Sequence, residues 1–190
     1  MENPIAIGLI ATCLFVLLWF IINYNALVRL RNHCVESWSG IDTELKRRYD
    51  LIPNLVETVK GYAVHERETL ESVTAARNQA RDSSGSPAEQ AKDENELVRS
   101  LKTLFAVSER YPDLKANENF LMLQRELANT EDRIQAARRF FNGNVRDYNT
   151  RIQVFPSSIV AGMFNFQMKE FFEIEEAAMR IAPAVSMERS

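Results

Sequence analysis

The spacing of apolar positions changes sharply along the chain. From Ile5 to Ile22 a run of 18 residues is interrupted only by Gly8 and Thr12, and no charge lies between Glu2 and Arg29. As a helix this run is about 27 Å long, close to the thickness of a bilayer's hydrocarbon core. No face of it carries a polar stripe, which disfavours the core helix of a soluble domain. Trp19, Phe20, Asn23, Tyr24 and Asn25 close the run as an interfacial aromatic belt. A cleaved signal fits poorly: the first residues hold no Lys or Arg, the run is too long, and no small-residue cleavage site follows. Residues 1–26 therefore read as an uncleaved anchor.

Beyond the anchor the period becomes helical. Leu27, Leu30, Cys34, Trp38, Ile41 and Leu45 recur at three- and four-residue steps with charges between them. A first helix is expected to continue from the anchor to about Arg48. Asp50-Leu51-Ile52-Pro53 reads as a reversal, with Asp50 as N-cap and Pro53 in the first turn of the next helix. That second helix carries Leu55, Val59, Tyr62, Ala63, Leu70, Val73 and Ala76, with Glu66 as a polar intruder. The stretch from Asp82 to Ala88 reads as a loop. A third helix is expected from about Ala91 to Arg110, with Leu97, Leu101, Leu104 and Val107 or Ser108 inward. A fourth runs from about Asn117 to Phe155 on a heptad step, and Pro156 ends it. Gly143 inside that helix marks a close contact or a bend. Residues 153–167 carry no charge, and Lys169 to Arg180 reads as an amphipathic helix.

The predicted fold is thus all-α: a transmembrane helix continuing into an antiparallel up-down bundle of long helices over residues 27–155. An apolar segment and a C-terminal amphipathic helix follow over residues 156–190. On an up-down bundle, the uncharged segment from Val154 to Phe166 returns to the membrane-facing end. It either touches the bilayer or caps the bundle core, and spacing alone does not choose between the two.

Charge refines this picture. Twenty-three basic and 26 acidic side chains leave a net charge of −3, which argues against nucleic acid as a partner. Arg29, Arg31, Lys46, Arg47 and Arg48 follow the span, whereas its other flank offers Glu2. The positive-inside rule then places the N-terminus outside and the bundle in the cytoplasm. The two cysteines, Cys13 and Cys34, stand about 31 Å apart along one helix and cannot bridge within it.

No catalytic, cofactor-binding or metal-binding residue is assigned. Nucleotide-binding glycine motifs and GxSxG are absent from the sequence. The histidines are His33 and His65; neither has a Glu three positions earlier, as a di-metal bundle site requires. Cys34 reads as core, and the charge runs read as solvated faces.

Several segments then carry a resemblance. Tyr24–Asn32, Trp38–Asp42, Leu45–Ala63, Tyr111–Phe120, Tyr148–Thr150 and Phe155–Ala161 together resemble the LemA family over nearly the whole chain. The resemblance implies a bacterial inner-membrane protein, N-terminus outside, with a cytoplasmic helical bundle and no established enzymatic activity. It also implies genomic neighbours with membrane-protease and stress functions. The polar motif residues, Tyr49, Asp50, Pro53 and Asn54 on one side and Tyr111 to Asn119 on the other, read as two reversals at one pole of the bundle, serving either turn chemistry or a partner. The expected function is a single-pass membrane scaffold whose partners are the lipid bilayer, copies of itself in a homo-oligomer, and other membrane proteins. The alternative is an adaptor or regulator of a membrane protease or envelope-stress system.

Overall fold

A computed structural model describes residues 4–174. Its helices are α1 (Pro4–Lys60), α2 (Arg67–Asp82), α3 (Pro87–Ser108), α4 (Pro112–Lys115), α5 (Glu118–Gln153) and α6 (Ser157–Met163). No strand occurs among the described residues. The chain divides into two compact units, Met1–Ser39 with Arg139–Phe171 and Gly40–Arg138 with Phe172–Ser190.

In the second unit, α2, α3, α4 and the flanking parts of α1 and α5 form an antiparallel helical bundle. The expected stripes mostly face inward: Ile41, Leu45, Leu55, Val59, Leu70, Val73, Leu97, Leu101, Leu104, Leu127 and Ile134 are all buried, whereas Tyr62, which falls in the turn after α1, is exposed. Loop residues 83–86 end on a capping box. Ser86 accepts from the Glu89 N–H, the Glu89 carboxylate accepts from the Ser86 N–H, and Pro87 opens the helix. A Cβ on Gly85 would sit 2.3 Å from that carboxylate, so the folded-back Glu89 side chain needs the bare glycine.

The expected reversal at Asp50–Pro53 is not there. Helix α1 runs through Pro53 to Lys60, and the reversal falls at residues 61–66. An internal proline removes the N–H that would bond the carbonyl four residues earlier, that of Tyr49. Here Arg77 Nε on α2 donates to the Tyr49 carbonyl at 3.0 Å and takes over that role. Burial of Ile52, Leu55 and Val59 around the proline favours continuation. Arg77→Met is therefore expected to lower stability by about 1–3 kcal/mol, the cost of an orphaned carbonyl. Combining it with Pro53→Ala, which restores an intrahelical donor, is expected to remove most of that loss. Melting temperatures of the two single variants and the double variant check this, and equal losses with and without Pro53 would refute it.

A cluster of charges forms part of this unit's core. Arg48 is 0% exposed. Its guanidinium donates to Glu94 and, at 2.9 Å, to Glu131. Glu94 also accepts from the Tyr49 hydroxyl, and Gln135 donates to Glu131 at 2.8 Å. Burial first, then the Glu94 carboxylate, pushes the Tyr49 phenol far above its ordinary value and keeps it a neutral donor. Arg48 departs from the expected solvated charge run. Its neighbours Lys46 and Arg47 keep to it, pairing with Asp42 and Glu126 on the surface.

At one pole of this unit the turn between α1 and α2 meets the turn leading into α5. Glu66 accepts from Arg110 and from the Tyr111 hydroxyl, each at 3.0 Å. Asn117 donates to the Tyr62 hydroxyl at 2.9 Å and caps α5 by accepting from the Phe120 N–H. Glu66, the expected polar intruder, thus ties two reversals together. Tyr49, Asp50, Pro53 and Asn54 lie within α1 and do not form the reversal expected of them.

The expected amphipathic helix from Lys169 is also absent over Lys169–Ile174; its remainder lies outside the described residues. Phe172 and Ile174 are buried while Glu173 is exposed, an alternation of period two that a helix cannot deliver. Asn95 and Arg138 donate to the carbonyls of Glu173 and Ile174 and hold this part of the chain in place.

Candidate membrane-anchoring site

The first unit carries the apolar stretch of α1 and the segment around α6. None of the residues from Ile5 to Ile22 is buried, and this stretch has a mean hydropathy of 2.9 in its most apolar window. A soluble core helix of this composition would be covered by protein. The described residues contain one helix long and apolar enough to cross a membrane.

Protein contacts begin at the aromatic exit. Leu27, Val160 and Ala161 form a buried cluster, flanked by Trp19, Phe20, Tyr24, Ile152 and Phe166. Phe164 lies 4.6 Å from Tyr24 and 5.8 Å from Phe20 between ring centroids. Phe166 lies 5.9 Å from Tyr24, and the Arg31 guanidinium sits 5.5 Å above its ring, a cation–π contact.

Local chemistry explains how α6 reaches this place. Pro156 ends α5 as expected, after a cis Phe155–Pro156 bond. Ser157, which is buried, donates its hydroxyl to the Arg151 carbonyl in the last turn of α5 at 2.7 Å, with the Val154 carbonyl just past the helix sharing that proton at 3.0 Å. At the far end α6 closes in a Schellman motif: Phe166 N–H bonds the Ala161 carbonyl at 3.0 Å and Asn165 N–H that of Gly162 at 3.3 Å. Asn165 takes the left-handed conformation the motif requires, φ 53°. That reversal folds Phe166 back onto Val160 and Ala161. The sequence signal for this helix, an Asn just past a short apolar run, is weak.

Two buried asparagines fasten the surroundings. Asn23 donates to the Trp19 carbonyl and accepts from Arg151 at 2.7 Å, joining α1 to α5. Asn149 on α5 exchanges two hydrogen bonds with the backbone of Lys169, at 2.8 and 2.9 Å, so its amide serves as a backbone partner for the chain after α6. Elsewhere in the unit Cys34 is buried as its step in the stripe requires, and burial raises its thiol pKa. Trp38 meets Phe141 edge-on at 5.2 Å. Gly143 has open space where a Cβ would stand, so it marks no close contact.

The outward side of this segment is apolar. Phe155 is 81% exposed and Met163 67%, with Val154, Ile159 and Phe164 also exposed. The site offers contact surface, and no group of metal-binding side chains occurs among the described residues.

The chain is similar to known proteins over most of its length. The LemA family matches residues 37–187. A protein LemA of Metamycoplasma hominis is 28% identical over 155 residues, covering 80% of this chain and 69% of the relative. The magnetosome protein MamQ of Magnetospirillum gryphiswaldense is 22% identical over 182 residues, covering 83% and 67%. Magnetosome protein MamQ 2 of Paramagnetospirillum magneticum shows the same identity and coverage. The chain, a membrane-associated helical protein, belongs to the LemA family.

Proposed function

We propose that this protein is a single-pass, non-catalytic scaffold of the bacterial cytoplasmic membrane. Its N-terminus lies outside, and its helical units self-associate or recruit partners in the cytoplasm. The observation that carries the reading is the uncovered apolar stretch of α1, whose helix continues without a break into ion-paired, protein-packed turns. Arg29 and Arg31 just past the span support the orientation. Self-association is supported by Phe140, which is 67% exposed on α5 beside the buried Phe141. An aromatic ring held in water favours burial against another surface.

Extraction in mild detergent followed by mass determination tests the proposal. The expected particle holds several copies of the 21.8 kDa chain, and Phe140→Ser shifts it toward smaller species. A single copy that co-purifies with a different membrane protein would replace the scaffold by the adaptor. For that role the second unit offers a groove between the end of α1 and α2, in which Val56, Val64, Leu70 and Ala75 are accompanied by the charged side chains of Glu57, Lys60, Arg67 and Glu71.

A further inference from the structure

We propose that α6 and its flanks form a second membrane contact, a wedge lying in the boundary between lipid headgroups and acyl chains beside the exit of the span. The inference rests on the anchoring role of α1. The span sets a depth scale. If Ile5–Ile22 fills the hydrocarbon core, Phe20 lies just inside the boundary and Tyr24 at it. Phe164 packs on both rings, so the C-terminal end of α6 stands at that depth. Leu27, one turn further, meets Val160 and Ala161, and Arg31 reaches Phe166 another turn on, where a guanidinium borders headgroup phosphates.

One side of α6 is therefore fixed on α1 through Val160 and Ala161. The other presents Ile159 and Met163, four residues apart on one face, extended by Val154 and Phe155, with the half-exposed Phe164 at the edge where it packs on α1. No charged residue interrupts residues 153–167. An exposed face of this size, continuous with a membrane span and at the level of its aromatic exit, matches an interfacial helix in its polarity pattern. The segment is too short to cross a bilayer. The contact also widens the attachment from a single helix to a two-element footing, which restrains α1 from rotating about its own axis.

Site-specific fluorescence in vesicles tests this. The full chain with Cys13→Ala is reconstituted into phosphatidylethanolamine–phosphatidylglycerol vesicles; the buried Cys34 is left in place. An environment-sensitive label is attached to Ile159→Cys or Met163→Cys, with Leu17→Cys as a reference inside the span and Glu68→Cys as a reference in water. Quenching is read with doxyl-labelled lipids and with aqueous iodide. The expected result is a blue-shifted label at 159 and 163 that loses most of its emission to shallow doxyl lipids and little to iodide. Iodide quenching at 159 and 163 like that at 68, while 17 remains lipid-quenched, would overturn the wedge and leave the anchor standing. Protection from both quenchers would also overturn it and assign the face to a second protein copy. Loss of lipid quenching at 17 would sink the anchoring role itself, and the wedge with it. Because 159 and 163 are exposed, labelling there leaves the fold intact. A doubly charged variant, Ile159→Asp with Met163→Asp, gives an independent readout: looser footing, seen as faster rotational averaging of a spin label at Leu17→Cys.

Discussion

Arg48→Met is expected to destabilise the second unit by about 3–5 kcal/mol, because it leaves two buried carboxylates facing each other without their shared cation. For a chain of this size that corresponds to a fall in melting temperature of roughly 6–20 °C, read by circular dichroism in detergent. The cost arises from the orphaned charges. The triple variant Arg48→Met, Glu94→Leu, Glu131→Leu is accordingly expected to recover most of the loss, since a buried ion cluster and an apolar replacement of similar volume are often close in free energy. Tyr49 keeps an acceptor there in the Ala80 carbonyl at 3.2 Å. A single variant as stable as the parent would mean that water reaches the cluster and solvates both carboxylates. A triple variant as unstable as the single one would assign the loss to packing.

The double variant Ala11→Arg, Leu14→Arg is expected to release the chain from the membrane. Twelve Leu, Ile, Phe and Val residues lie between Ile5 and Ile22. At insertion values of −0.3 to −0.6 kcal/mol each, they favour the span by about 4–7 kcal/mol. One central arginine opposes this by about 2.5–3.5 kcal/mol and leaves insertion marginal; two oppose it by about 5–7 kcal/mol and cancel it. Resistance to alkaline carbonate extraction should persist in part for Leu14→Arg and be lost for the double variant. The Arg48 cluster lies on other turns of α1, so the released chain should retain its helical circular dichroism. Full carbonate resistance of the double variant would show that attachment does not depend on this span.

Both experiments address residues whose roles differ in how far the sequence reveals them. The span is legible because partition into a bilayer depends on contiguous composition, and no distant residue alters the count. The buried stripes of α1, α3 and α5 are legible for a similar reason: a fixed period of 3.6 residues puts Leu27, Cys34, Ile41 and Leu55 on one side whatever they pack against. In that register Arg48 occupies the step between Ile41 and Leu55, and Glu94 stands seven residues before Leu101. The signal for a buried ion cluster was therefore present. Charge type masked it, since an isolated charged residue on a helix is almost always solvated.

What the sequence by itself determined was the all-helical class, the long apolar N-terminal helix with its aromatic exit, the inward faces of the long helices, and the stop at Pro156. Each follows from local spacing, capping or composition. Only the tertiary structure decided that α1 continues through Pro53, that Arg48 is interior, that Phe172 and Ile174 alternate instead of coiling, and that α6 docks on the exit of the span. Each of these depends on a partner supplied from far along the chain. Arg77 lies 28 residues from the carbonyl it rescues, and Glu94 and Glu131 lie 46 and 83 residues from Arg48. Local propensity for a break at a proline, or for solvation of an arginine, is worth a few kcal/mol and gives way when a distant group satisfies the same atoms inside the fold.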